Sequence, residues 1–221
     1  MSTILRQKEA AYRVVDVLQT HGYVALFAGG CVRDQLLGRE PKDYDVATNA
    51  RPDTVEELFP KTLAIGKAFG VIAVIDGKET VEVATFRKES GTTDGRHPEN
   101  LEFCEAREDA LRRDFTVNGM FYDPLEDQVI DYVDGQRDLE ARRIKAVGDP
   151  RSRFQEDHLR MLRAIRFAYT LDFKMDPEID SALREMAPLI KRISAERIEA
   201  ELTRTLVDSA RPGDALRHLH A

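Results

Sequence analysis

Two carboxylates one residue apart, Asp43 and Asp45, follow the glycine pair Gly29-Gly30 in the stretch FAGGCVRDQLLGREPKDYDVAT (27–48). In a strand, residues two apart project to one face, so both carboxylates would reach one side and Tyr44 the other. Converging carboxylates repel unless a cation sits between them. Mg2+ suits that position, because it takes hard oxygen ligands and completes its shell with water and phosphate. The glycines allow backbone amides to approach a triphosphate, and the start of the next helix adds its positive end. Arg33 falls in that first turn, where it can reach a phosphate or a ribose. Two-metal phosphoryl transfer generally uses a further carboxylate, and Glu82 in TVEVATF is the candidate. Taken singly, each feature has a plain reading: a solvated strand edge, a turn, an outward-facing strand residue. Their order across strand, turn, helix and strand points to a nucleotide.

A second set lies in FQEDHLRMLRAIRFAYTL (154–171). Read as one amphipathic helix, it carries Asp157, Arg160, Arg163 and Arg166 along one side. The plain account is a solvated face laced with salt bridges. Against it, Met161, Leu162, Ile165 and Phe167 put apolar groups beside the row, and the local acids are too few for the arginines. Asp157 offers only acceptors and Arg160 only donors. Side by side they match the amine donor and ring-nitrogen acceptor that cytosine and adenine both present. Guanine and uracil present the reverse. A mismatched buried polar pair costs about 1–3 kcal/mol, enough to discriminate.

These residues need a frame. Apolar spacing predicts a helix over 3–20 closed by Gly22, and YVALFA (23–28) reads as a buried strand entering the glycine turn. VRDQLLG reads as a short helix, KDYDVAT (42–48) as a strand, and Arg51-Pro52-Asp53 as the start of a helix to Phe59. GVIAVI and KETVEVATF form a hairpin around Asp76-Gly77. Residues 87–107 show little periodicity and read as a long functional loop. DALRRDFTVNGMF (109–121) is expected to be helical and QVIDYV a strand. PEIDSALREMAPLI and SAERIEAELTRTLV read as further helices capped by Asp176 and Ser194, and DALRHLHA as a helix cut off soon after it begins. The fold class expected is α+β: a mixed α/β head over residues 1–148, then an all-α unit over 149–221.

Composition bounds the alternatives. The chain has 221 residues, 42% apolar and 33% charged, as in a soluble globular protein. No signal peptide and no membrane span is expected. Cys31 and Cys104 give neither a disulfide framework nor a zinc spacing, so a cytoplasmic location is the default. The net charge of −7 argues against coating nucleic acid by bulk electrostatics. The acidic excess lies in the first 150 residues, while residues 151–221 are nearly balanced.

GGCVRDQLLGREPKDYD resembles the head-domain motif of the tRNA CCA-nucleotidyltransferases and bacterial poly(A) polymerases, a class of polymerase-β-like nucleotidyltransferases. LRRDFTVNG (111–119) and EDHLRMLRAIRF (156–167) are similar to two further blocks of that family, in the same order. The resemblance covers a head and a neck; members continue into helical body and tail domains. It implies nucleotide contacts at Gly29, Gly30, Arg33 and Arg113, metal binding at Asp43 and Asp45, and Glu82 as third carboxylate. It also implies side chains serving as template, with Asp157, Arg160, Arg163 and Arg166 in the nucleotide site. Arg112 is expected to pair with a neighbouring carboxylate, and Asn118 to fix backbone or a sugar. The function implied is Mg2+-dependent addition of C and A from CTP and ATP to the tRNA 3′ end, with no membrane and no DNA involved. The loop at 87–107 would help reposition Asp157 and Arg160 between C and A addition. Alternatives are a poly(A) polymerase, an A-adding enzyme, or a non-catalytic nucleotide-binding module. Gly66-Lys67-Ala68-Phe69 departs from the paired-basic segment of the poly(A) subgroup.

Overall fold

The hairpin read at 70–86 supplies two neighbouring strands of the main sheet. In the computed structural model, which describes residues 3–90 and 100–220, β4 (Val71–Asp76) and β5 (Glu79–Thr85) pair antiparallel from Val71↔Ala84 to Asp76↔Glu79. The turn is therefore Gly77-Lys78, one residue later than expected, with Gly77 at φ +64° supplying the left-handed corner.

Around it stands a seven-stranded mixed sheet of order β3-β4-β5-β2-β1-β8-β9. Its remaining strands are β1 (Ala25–Ala28), β2 (Val46–Thr48), β3 (Thr62–Gly66), β8 (Phe121–Asp123) and β9 (Gln128–Ile130). The β2–β5 pair is parallel, and every other neighbouring pair is antiparallel. Helix α1 (Thr3–Thr20) packs on β5 and β1 through Ala11, Val14, Val15 and Leu18, all buried. Leu5, expected on the same stripe, is exposed instead, and the side chain of Ile4 lies outside the described residues. Helices α2 (Gly30–Leu36) and α3 (Pro52–Leu58) come after β1 and β2. A cluster of Leu26, Ala28, Ala47, Phe86, Ala106, Ala110 and Phe121 fills the core beneath α4 (Ala106–Leu111).

Further expectations are corrected by the structure. β2 begins at Val46, so Asp43 and Asp45 precede the strand in an extended lead-in. The segment 109–121 is not one helix: α4 ends at Leu111, Thr116–Asn118 makes a 3-10 turn, and β8 starts at Phe121. Within 87–107, β6 (Arg87–Ser90) pairs with β7 (Asn100–Phe103), so the segment flanking 91–99 is strand, not loop. Residues 91–99, the centre of the expected loop, lie outside the described residues.

The chain packs as two units: residues 1–89, 101–113 and 118–133, and residues 90–100, 114–117 and 134–221. By packing, residues 134–148 belong with the helical segment after them, because β10 (Arg143–Ile144) pairs in parallel with β11 (Lys174–Met175). The second unit also holds α5 (Gly135–Glu140), α6 (Pro150–Glu156), α7 (Leu159–Leu171), α8 (Pro177–Met186), α9 (Ala195–Asp208) and α10 (Pro212–His220). Asp176 caps α8 by accepting from the Glu178 N–H, as expected. Ser194 stands at the cap position of α9 but makes no side-chain cap bond.

A further correction concerns the helix expected over 154–171, which breaks at Asp157. That residue is extended (φ −144°, ψ 108°) and separates α6 from α7. Side chains satisfy the groups the break exposes. The Asp157 carboxylate accepts from the Leu159 N–H at 3.0 Å, His158 Nδ1 meets the Phe154 carbonyl at 2.8 Å, and Arg160 donates to the Arg153 carbonyl.

Candidate active site

Asp43 and Asp45 reach solvent on either side of buried Tyr44, the alternation expected of an extended segment. Tyr44 holds the segment down, with its ring edge-on to Phe27 at 5.3 Å. The Asp45 carbonyl accepts the Ala28 N–H at 3.0 Å, tying it to β1. One residue on, Val46 pairs with Val83 of the parallel strand β5, which puts Glu82 beside the Asp45 lead-in. The electrostatics agree. Asp45 is pushed up to about 7, first because protein crowds its carboxylate on the sides away from solvent, then by the charges of Asp43 and Glu82, with Arg113 partly offsetting them. Acidic side chains close enough to raise the pKa of Asp45 have the donor chemistry a hard dication relieves. Among the described residues no three His, Cys, Asp or Glu side chains form a ready-made ion cage. Mg2+ does not require one, since it is commonly held by one or two carboxylates together with substrate phosphate.

The arginines come to the same unit by a different route. Arg33 is buried and doubly held: Nη1 donates to Asn118 Oδ1 at 2.6 Å, while Nε and Nη2 bind both oxygens of Asp34. Arg113 donates to the Asn118 carbonyl at 3.2 Å and to Asp109 Oδ2 at 3.1 and 2.9 Å, and its guanidinium lies 4.8 Å from the Phe121 ring centroid. Arg112 grips the other oxygen of Asp109, the neighbouring carboxylate expected for it. Burial pushes the Asp109 carboxyl up, but Arg113 and Arg112 together hold it below the ordinary range. Gly29 takes φ +75°, and a Cβ there would stand 3.1 Å from Arg113 Nη1. Glycine is needed for both reasons. Burial raises the Cys31 thiol, leaving it an inert filler of the turn.

In the second unit the expected row does not form one reading face. Arg160, Arg163 and Arg166 lie on α7, but each is already engaged. Arg160 binds Glu156 at 2.7 Å. Arg163 binds buried Asp114 at 2.6 Å, and Arg166 binds buried Glu201 at 2.6 Å with its guanidinium 4.0 Å from the Phe167 ring centroid. The acids missing from the local sequence arrive from elsewhere in the chain, which ties Arg163 and Arg166 into the interior as helix pins. Asp157, off the helix, pairs with Arg197 of α9 at 2.9 Å and not with Arg160. Sequence reasoning missed Asp109, Asp114, Arg197 and Glu201. Only Asp109 left a local signal, standing three and four residues before Arg112 and Arg113 on a helix.

Sheet, acidic lead-in and anchored arginines together define the class: the chain belongs to the Poly A polymerase head domain family, which matches residues 25–145. A second family, described as the probable RNA and SrmB-binding site of polymerase A, matches residues 172–221. The CCA-adding enzyme of Lactococcus lactis subsp. cremoris is 47% identical over 203 residues, covering 90% of this chain and 50% of that protein. Poly(A) polymerase I of Haemophilus influenzae is 39% identical over 209 residues, covering 89% of this chain and 46% of that protein. The crystal structure of the Bacillus stearothermophilus CCA-adding enzyme in complex with CTP superposes with a TM-score of 0.88 at 37% identity. It covers 99% of this chain and 52% of that one. The chain thus spans about half the length of the curated relatives it matches. No described helix is long and apolar enough to cross a membrane.

Proposed function

We propose that this chain carries the catalytic head (1–148) and helical neck (149–221) of a cytoplasmic enzyme that adds C and A to the 3′ end of tRNA from CTP and ATP. The observation that carries the reading is the Asp43–Asp45 lead-in, both carboxylates exposed beside Glu82 with Asp45 raised to about 7. Arginines anchored in the same unit supply the counter-charge. The likeness to CCA-adding enzymes supports the choice of reaction.

Asp43 and Asp45 would hold Mg2+, with Glu82 as third carboxylate. When bound, the metal neutralises triphosphate charge and lowers the pKa of the attacking 3′-hydroxyl. Gly29 and Gly30 keep the backbone open to the phosphates, which only residues without a Cβ allow at such close approach. Arg33 and Arg113, held by Asn118, Asp34 and Asp109, meet the charge that grows on the leaving pyrophosphate; fixed donors do this without reorganising. Asp157 and Arg160 read the base, the carboxylate accepting from the exocyclic amine of C or A and the guanidinium donating to the ring nitrogen. Arg163 and Arg166 hold helices together, and we do not assign them to the nucleotide.

The test is an incubation with Mg2+, labelled CTP or ATP, and tRNA lacking its terminal CCA. Incorporation of C and then A supports the reading. Nucleotide binding without incorporation selects a non-catalytic module. A homopolymeric A product selects poly(A) synthesis, the second reading, which the likeness to the Haemophilus influenzae enzyme favours.

A further inference from the structure

Asp157 has no local partner for its charge, because the helix break lifts it out of the row of arginines. Its partner comes from forty residues on. Nη2 of Arg197 lies 2.9 Å from Oδ2 and 3.2 Å from Oδ1, so one guanidinium nitrogen straddles the carboxylate. Oδ1 also accepts the Leu159 N–H at 3.0 Å. A carboxylate has about four acceptor positions. Two on Oδ1 and one on Oδ2 are used by these bonds, which leaves one on Oδ2. Both side chains of the pair are partly exposed, so that position is open to a small molecule.

We infer that Arg197 is a positioning residue for base selection: it fixes the Asp157 carboxylate so that Oδ2 meets the exocyclic amine of the incoming nucleotide. This rests on the proposed role of Asp157 as base reader. Glu156 does the converse for Arg160, at 2.7 Å. Each reader is thus backed by the opposite charge. Merely pinning α9 to α7 is a weaker account of Arg197. Glu201, one turn further along α9, already does that through Arg166, in a buried pair at 2.6 Å.

The test measures dissociation constants of CTP, UTP, ATP and GTP with Mg2+ for residues 1–221, by titration calorimetry, with thermal unfolding in parallel. In wild type CTP should bind more tightly than UTP, and ATP more tightly than GTP. Arg197→Met should shrink both ratios about tenfold, the worth of a charge-assisted hydrogen bond, at a nearly unchanged unfolding midpoint. Arg197→Lys should restore part of the ratio, because a point charge supports the carboxylate without the planar fork. Ratios unchanged in Arg197→Met but collapsed in Asp157→Ala would overturn the role of Arg197 and leave Asp157 as reader. Ratios unchanged in both would remove the reading of Asp157, and with it this role. If Arg197→Met fails to fold, Arg197→Gln replaces it. A stable Arg197→Gln protein with wild-type ratios likewise overturns the role.

Discussion

Asn118 and Arg33, 85 residues apart in sequence, meet through a hydrogen bond of 2.6 Å inside the first unit. The Asn118 carbonyl accepts Arg113 as well, so a single residue holds both arginines proposed for the triphosphate. Asn118→Ala removes the side-chain half of this grip and leaves the buried Arg33 guanidinium short of an acceptor. The expected cost is about 1–3 kcal/mol of stability and about tenfold weaker CTP binding. Asn118→Asp, which keeps the acceptor, should retain most of both. Calorimetry and thermal unfolding on the three proteins check this, and equal loss in both variants would refute it.

Gly29→Ala meets two penalties at once, a left-handed φ and a contact with Arg113. Strain of roughly 1–3 kcal/mol is expected from the backbone alone, since Gly29 sits at φ +75°, ψ −122°. Arg113 must also shift, so nucleotide affinity should fall with stability. Gly38→Ala, also at positive φ but with open space around its Cβ, should lose stability only. Comparing CTP affinity in the two variants separates backbone strain from displacement of the arginine.

Asp45→Asn should reduce transfer by at least about 10³-fold if the metal assignment holds. Its effect on stability should run the other way. A carboxylate raised from 3.8 to about 7 is protonated in the folded chain across a window where the unfolded chain is ionised. The folded state then binds more protons, and stability falls as pH rises between those values. Asparagine removes that loss, so the variant should gain on wild type at pH 8 and less at pH 5. Melting curves at the two pH values decide the sign. Near wild-type turnover in Mg2+ would rule the assignment out.

Asp109 has the opposite sign. Its pKa is lowered in the folded chain, so its contribution is present above the unfolded value near 3.8 and lost as pH falls through the folded value. Asp109→Asn removes the negative charge that Arg112 and Arg113 share and should cost about 3–5 kcal/mol at pH 7. The gap from wild type should narrow below about pH 4, which denaturant titrations at pH 7 and pH 3 measure. A gap independent of pH would show that the charge is not what Asp109 contributes.

Glu201→Gln separates structural from reading arginines. It breaks a buried pair and should destabilise the chain by about 3–5 kcal/mol, while the CTP-to-UTP affinity ratio stays at the wild-type value. A changed ratio would return Arg166 to the nucleotide site.

The sequence by itself determined what depends on short-range pattern. Alternation around Tyr44 sent Asp43 and Asp45 to one side even though the strand begins only at Val46, because side-chain direction follows extended backbone with or without a ladder. The hairpin at 71–85, the α1 stripe and the Asp176 cap are likewise local facts. The tertiary structure alone decided who partners whom. Nothing near Arg163 or Arg166 in the sequence announces Asp114 or Glu201, so a row of three arginines looked like spare charge when two of them are internal pins. The helix over 154–171 kept its apolar period through Asp157, yet it breaks there. Asp157 and His158 bond to backbone groups on either side, and such local side-chain bonds compete with helix continuation in a way that periodicity does not record. Charge pairing at long separation costs the chain loop closure that only the packed core repays, and that term has no signature in residue spacing.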